Sequence, residues 1–462
     1  MLGSDVPPSL ATTAVELEAL ARRWSVERLP DLASQGGCAA SGRVDEVVGI
    51  DVVARLPLAR LGMLCSVERA DGGEPLLAEV VGFGGGRVRL TAMGTLHNVG
   101  PGNVVRVAAL EHAIIATPAL IGDVLDAYGR SMTGGPGAFV RDSRASGARP
   151  VLRGGVSPLD RRPIDTPFFT GVRALDSMLT VGRGQRIGIF AGPGAGKTTL
   201  LSAIARNAHA DFVVFGLIGE RGRELQEFVQ SMLHTSTAKR MVVVAASSDR
   251  SSLERARAAF TATAIAEALS SHGAHVLLLL DSLTRYARAQ REIGVAAGEP
   301  PGRGGFPPSF YSSLPRLIER AGNFQNGSIT AIYTVLSEQD LEADPVADEA
   351  RSLLDGHVVL SRKLAEAGHF PAIDVLRSLS RTMPSVTDRG HQGAARKVRA
   401  RLARHEALEF LIRVGEYKPG RVPEDDAAVD AHPAIMRFLQ QDLDRERPPY
   451  EQTVEALHAL AG

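Results

Sequence analysis

The chain has 462 residues, 44% of them hydrophobic and 23% charged, and lysine plus arginine equals aspartate plus glutamate at 52 each. That length exceeds one ordinary hydrophobic core, so two or three domains are expected. The zero formal net charge removes any whole-molecule attraction to nucleic acid or an acidic surface. No run approaches the roughly 18 apolar residues of a membrane span, the start M-L-G-S-D-V-P-P-S-L lacks the blocks of a secretory leader, and Cys38 and Cys65 fit no metal spacing. A cytoplasmic, reducing location follows as the expectation.

Taken in order, residues 12–26 have helical spacing and belong to an N-terminal helical extension, 1–30. A domain over 31–110 is expected to be all-β. V-V-G-I-D-V-V-A, L-L-A-E-V-V-G-F, R-V-R-L-T-A-M and N-V-V-R-V are short β-like runs, with turns at D-G-G and F-G-G-G. Strands this closely spaced favour a small closed barrel, because closure removes sticky edges. A nucleic-acid-binding barrel would need an aromatic stacking platform, which the segment lacks, so it reads as a structural collar with no nucleic-acid partner.

The third region is 111–384. Residues 110–180 form an irregular connection ending in the helix-like V-R-A-L-D-S-M-L. After it, the runs R-I-G-I-F, D-F-V-V-F-G-L-I, M-V-V-V-A-A, H-V-L-L-L-L-D, I-T-A-I-Y-T-V-L and H-V-V-L alternate with helical patterns at 197–209, 222–233 and 252–271. Near-continuous apolar strands alternating with helices predict a parallel sheet covered on both faces, with ligands at the carboxyl ends of its strands. Beyond 381 the strand signals stop. Amphipathic patterns at 394–413, 427–442 and 450–460 predict an α-helical C-terminal domain, 385–462.

The chemistry concentrates at 187–199, I-G-I-F-A-G-P-G-A-G-K-T-T. A buried strand breaking into a glycine-rich turn that opens a helix can wrap its backbone N–H groups around a phosphate. Ala191 stands where the strict G-x4-G-K-[ST] pattern has glycine. Gly192, Pro193, Gly194, Ala195 and Gly196 still leave room for a polyphosphate, followed by Lys197, Thr198 and Thr199. Lys197 supplies a point charge to the phosphates and Thr198 a hydroxyl to Mg2+, so ATP and Mg2+ are the expected ligands.

Asp281 ends V-L-L-L-L-D about 80 residues after that loop, where a carboxylate serves Mg2+ through water; the plainer alternative is a helix cap. Glu220 follows F-V-V-F-G-L-I directly and is read as the base that orients and deprotonates an attacking water, the alternative being a first-turn helix acid. Arg221 is then a donor to the γ-phosphate. The segment P-A-I-D-V-L-R-S-L-S-R, ending at Arg381, carries no decisive chemistry of its own.

Four motifs in this order, A-G-P-G-A-G-K-T, G-E-R-G-R-E, L-L-L-L-D-S-L-T-R-Y-A and P-A-I-D-V-L-R-S-L-S, make residues 43–440 resemble the catalytic subunits of rotary-type hexameric ATPases. That family includes the F1, V-type, flagellar and injectisome enzymes. The blocks Y-A-R-A-Q-R-E-I-G-V-A-A-G-E-P-P-G-R-G-G-F and L-L-D-G-H-V-V-L-S-R-K-L-A-E-A-G-H-F look like the type III export ATPases, injectisome before flagellar. The C-terminal R-V-G-E-Y-K-P-G-R-V-P-E-D-D departs from the F1 pattern D-E-L-S-E-E-D, so rotor contacts of the F1 kind do not carry over.

The resemblance implies a multidomain α/β fold: an N-terminal β-barrel, a central RecA-like parallel-sheet P-loop ATPase domain and a C-terminal α-helical domain. It implies that Lys197, Glu220, Arg221 and Arg381 are catalytic, with Arg381 reaching across a subunit boundary to the neighbour's ATP. A homohexamer, stator and central-stalk partners, chaperone–effector complexes and a peripheral position at the inner membrane follow from the same source. An F1 or V-type catalytic subunit and a transcription-termination type RNA translocase are the competing members of the wider family.

Overall fold

Between residues 41 and 109 the glycine-punctuated runs close on themselves. Strands β1 (Ser41–Val48), β2 (Asp51–Arg55), β3 (Leu64–Val67), β4 (Leu76–Gly84), β5 (Arg87–Met93) and β6 (Val104–Ala109) form a closed barrel in the order β1-β2-β5-β4-β3-β6. Inward-facing Val52, Ala54, Val67, Ala78, Leu90 and Val105 fill it. Cys65 lies in the same core, where burial pushes its thiol up to about 12, so it behaves as a small hydrophobe. The run expected as one strand, V-V-G-I-D-V-V-A, is two: Gly49, at φ +61°, turns the chain between β1 and β2. Strand β3 is too short to leave a periodic signal.

A computed structural model describes residues 40–233, 236–337, 344–445 and 448–462. The N-terminal helical extension expected at 1–30 lies outside these. The described residues divide into two compact units, one containing the barrel together with Val140–Pro150, the other comprising Ile114–Phe139 and Val151–Gly462.

The second unit is built on a nine-stranded sheet. Its strands are β7 (Val124–Leu125), β8 (Arg186–Ala191), β9 (Phe212–Glu220), β10 (Met241–Ser247), β11 (His275–Asp281), β12 (Ser328–Leu336), β13 (Gly356–Leu360) and β14 (Ile373–Ser380), with the short Gly322–Asn323 paired to β12. The order is β14-β13-β8-β12-β11-β9-β10-β7, and all these neighbours are parallel except the antiparallel pair β13 and β14. The expected parallel sheet is therefore present, with an antiparallel edge strand.

Helices α1 (Lys197–Asn207), α2 (Gly222–Leu233), α3 (Ser252–Ser270) and α4 (Leu283–Ala296) alternate with the strands. Alanine-rich α3 is buried along nearly its whole length, as a helix without a polar face must be, and starts in a capping box between Ser251 and Glu254. Its few ionic groups are paired: Arg320, fully buried, donates to both carboxylate oxygens of Glu267 at 2.9 and 2.6 Å.

Helices α5 (Arg389–Arg413), α6 (Pro423–Leu439) and α7 (Tyr450–Ala461) complete the chain. Their Val398, Ile435, Leu439 and Leu457 join the same apolar cluster as the sheet residues Val358, Leu360 and Ile373. The C-terminal helices and the edge of the sheet thus share one core.

Candidate nucleotide site

Strand β8 is buried up to Ala191, then the chain leaves the sheet through Gly192–Gly196 into α1. Gly194 and Gly196 have φ of +76° and +80°, which only glycine adopts cheaply. No side chain caps the start of α1, so the first N–H groups of this helix face the loop's concavity, an anion site in waiting. Ala191 and Ala195 are buried supports, whereas Pro193, Thr198 and Thr199 are exposed.

Three side chains meet above this loop. Lys197 Nζ donates to Asp281 Oδ1 and lies 3.7 Å from Glu220 Oε1. Asp281 is fixed from the other side by Thr334 on the intervening strand β12, whose hydroxyl donates to the same Oδ1 at 2.7 Å. Residues 197, 220 and 281 come from the carboxyl-side ends of separate strands, as parallel topology requires of a ligand site.

Glu220 is the least comfortable of the three. Its Oε1 is buried without a hydrogen-bond partner among the described residues. Burial pushes its carboxyl up, and the negative charge of Asp281 adds to this, against the opposing pull of Lys197 and Arg285. A raised carboxyl is a stronger base once ionised, which suits proton abstraction from water.

Arg285 is a site residue for which the sequence offered no role. It lies on the first turn of α4 behind the cap residue Ser282, and its guanidinium is 3.9 Å from Glu220 Oε2. Gly219, at φ +69°, makes room for it: a Cβ there would come within 3.1 Å of the Arg285 side chain. The signal available was its spacing, one helical turn beyond Asp281. Arg221, by contrast, is 77% exposed at its side chain and its ion pair among the described residues is with Glu224, at 4.0 Å, so the structure does not bring it into the cluster.

Phe370 is the second missed residue. Its ring sits 3.4 Å from the point where a Gly196 Cβ would project, and it is 42% exposed beside the loop. Its backbone carbonyl accepts from Gln441, which ties it to the C-terminal segment.

Arg381 is somewhere else entirely. Ile373 pairs with Leu360, and Leu360 lies beside Ala191, so the Phe370 end of β14 is near the phosphate loop. Ser380 pairs with Gly356, at the amino-side edge of the parallel strands. Gly356–Leu360 alone spans ~13 Å at ~3.3 Å per residue. Arg381 therefore leaves the sheet at the edge opposite its own Lys197. Its side chain is exposed and has no hydrogen bond or ion pair among the described residues, while its N–H donates to Asp355 O at 3.0 Å.

The signature P-A-I-D-V-L-R-S-L-S now has a physical meaning. Ladder pairing between β13 and β14 is interrupted between Asp374 and Leu379. Asp374 accepts from the N–H groups of Leu376 and Arg377, and Ser378 Oγ accepts from Val359 N at 2.9 Å. Aspartate and serine side chains replace the missing backbone bonds.

Known proteins carry the same arrangement. Residues 171–380 match the nucleotide-binding domain of the ATP synthase alpha/beta family, 44–107 match that family's beta-barrel domain, and 387–459 match the T3SS EscN ATPase C-terminal domain. The Type 3 secretion system ATPase of Pseudomonas syringae pv. tomato is 51% identical over 442 residues, 96% of this chain and 98% of that protein. The Flagellum-specific ATP synthase of Pseudomonas aeruginosa is 45% identical, covering 91% and 93%. The assembled ATPase EscN of enteropathogenic E. coli superposes with a TM-score of 0.84 at 45% identity, covering 91% of this chain and 100% of that one, and has also been solved in complex with its central stalk EscO. The chain belongs to the ATP synthase alpha/beta family and, within it, to the type 3 secretion system ATPases.

Proposed function

We propose that this ATPase is the motor of type III protein secretion, acting as a homohexamer that frees export substrates from their chaperones and unfolds them. The observation that carries the reading is the pairing of a Lys197–Asp281–Glu220 cluster with an exposed Arg381, without a side-chain partner among the described residues, at the opposite edge of the same sheet. A cation placed there is useless to its own nucleotide and well placed for a neighbour's.

In this reading the N–H groups of Gly192 and of Gly194 to Thr199 cradle the phosphates and Lys197 exchanges its carboxylate partners for phosphate oxygens. Glu220 takes a proton from water as the water oxygen attacks the γ-phosphorus; the bond to ADP breaks and its oxygen leaves with the electron pair. Arg381 from the adjacent subunit, and Arg285 beside Glu220, neutralise charge developing on the phosphoryl oxygens. Arg221 reaches the γ-phosphate once it leaves Glu224. Phe370 offers its exposed face to the adenine.

The residues fit Mg2+. Thr198 is exposed at an uncapped helix start, Asp281 presents a buried carboxylate nearby, and Mg2+ needs few protein ligands when phosphates and water complete its shell. Held by Thr198 and, through water, by Asp281, it would supply charge neutralisation to the bound phosphates.

Partners are proposed by likeness: a central stalk, stator proteins and chaperone–effector complexes, with peripheral attachment to the inner membrane from the cytoplasmic side. Among the described residues no helix is long and apolar enough to cross a membrane. The 51% identity to a Type 3 secretion system ATPase against 45% to a Flagellum-specific ATP synthase supports the injectisome reading.

ATP turnover per subunit, measured with Mg2+ across a dilution series alongside the mass of the assembly, tests the reading. It is expected to rise with hexamer formation. Equal turnover in monomer and ring would remove the shared-site mechanism.

A further inference from the structure

Arg381 needs to be held still, and the structure shows what holds it. Gln185, the residue before β8, is completely buried, and all but one of its amide's partners lie at the strand end that carries Arg381 or on the backbone that supports it. Its Nε2 donates to Ser380 Oγ at 3.2 Å and to Asp355 O at 3.1 Å, the carbonyl that also receives the Arg381 N–H. Its Oε1 accepts from Gly182 N at 2.8 Å and Thr382 Oγ1 at 2.5 Å. Ser380 Oγ donates in turn to Thr180 O at 2.8 Å. Both neighbours of Arg381 are thus tied to one buried amide, and the backbone between them to Asp355, itself clamped by Arg186 through its carboxylate at 3.0 and 3.1 Å.

We propose that Gln185 is a positioning residue for hydrolysis in the adjacent subunit: it fixes the backbone on either side of Arg381 so that the exposed guanidinium is presented in one geometry. The inference rests on the cross-subunit reading of Arg381 and goes beyond it. Gln185 touches neither substrate nor the chain's own phosphate loop. It begins the strand whose other end opens into Gly192–Gly196, so β8 serves the chain's own nucleotide at one end and its neighbour's at the other. A short amide is suited to this, because it donates and accepts at once without introducing a buried charge that would need its own partner.

The test uses the full-length assembled ring. Gln185→Met keeps length and volume but removes all the amide's hydrogen bonds, and Thr382→Val removes one of them. A misplacement of about 1 Å in a positioned catalytic group costs on the order of 10^2-fold. Gln185→Met is therefore expected to lower kcat by about that factor with the KM for ATP unchanged. Thr382→Val should lower kcat by up to about tenfold, the worth of one hydrogen bond.

The decisive measurement is a mixed ring. Gln185→Met subunits have an intact nucleotide site, and Lys197→Ala subunits have an intact Arg381 anchor. Together they are expected to hydrolyse ATP faster than the sum of the two separate preparations, which a misfolded Gln185→Met chain cannot do. In an Arg381→Ala background, adding Gln185→Met should cost nothing further. Wild-type turnover in both Gln185→Met and Thr382→Val, or loss without recovery on mixing, overturns this inference while an inactive Arg381→Ala ring keeps the parent reading. Wild-type turnover in Arg381→Ala itself removes the parent reading.

Discussion

The two edges of the large sheet are built on opposite electrostatic plans. At the carboxyl-side edge, Lys197, Asp281 and Glu220 set one ammonium against two carboxyl groups within a single chain, and all three side chains are at most 13% exposed. At the amino-side edge, Arg381 has its backbone pinned and its charge left without a partner in the described residues. The first plan closes a lysine on two carboxyl groups of its own chain. The second stores half an interaction. Under the proposed function a chain with both plans becomes competent on assembly, since charge developing on an adjoining copy's phosphoryl oxygens would give Arg381 its counter-charge.

The comparison breaks most readily at Arg381. Arg381→Ala is expected to reduce kcat by roughly 10^3- to 10^5-fold, the worth of an arginine supplied in trans in GTPases, with nucleotide affinity largely kept. Turnover and nucleotide binding measured on the same preparation check this, and a parallel loss of both would mean that the arginine supports its own fold and not a neighbour's site.

Glu220→Gln addresses the other edge. Loss of a general base costs about 10^2- to 10^4-fold. The carboxyl must be ionised to act and is pushed up by burial, so kcat should fall as pH drops through a value above the ordinary glutamate range. That acid limb should be absent from the residual activity of Glu220→Gln; an unchanged limb would assign the titration to another group.

The two arginines near Glu220 sharpen the picture further. Arg285→Ala is expected to lower kcat by about 10^2-fold, the scale for one preorganised donor to a developing charge. Arg221→Ala measures whether Arg221 leaves Glu224 for the γ-phosphate: a loss of kcat supports that movement, and wild-type turnover would leave Arg285 as the local arginine.

The smallest effect concerns the amino-side edge and stability. His275 starts β11, whose other end is Asp281; its Nε2 meets Thr330 Oγ1 at 2.8 Å, and its ring lies edge-on to Phe168. Burial, aided by the charge of Arg183, pulls its imidazole down to about 4. The fold favours the neutral form, so this contribution is fully present above the ordinary value of 6.5 and is lost as pH falls from there towards about 4. At mildly acid pH the loss is about 2 kcal/mol. Thermal unfolding followed between those limits should depend less steeply on pH in His275→Gln; an equal slope would place the titration elsewhere.

Local order alone fixed a good deal of this protein. The six apolar runs expected of the sheet are six of its strands, and the helices expected at 222–233 and 450–460 are observed at Gly222–Leu233 and Tyr450–Ala461. The phosphate loop was legible because glycines, lysine and threonine act within a dozen neighbouring positions, where spacing is geometry. Even the closed barrel followed from strand density, although the Gly49 hairpin did not, since a turn inside an apolar run leaves its hydrophobic pattern unbroken.

What only the tertiary structure decided is which residues face one another and from which edge. Asp281 meets Lys197, Arg285 stands beside Glu220, Phe370 covers Gly196 and Gln185 grips Ser380 because the strand order interleaves segments far apart in the chain. Periodicity states that a strand is buried and is silent on its neighbours. It also cannot tell an antiparallel edge strand from a parallel one, and that single reversal, of β14 against β13, carries Arg381 away from the chain's own phosphate loop and leaves its side chain exposed at the opposite edge.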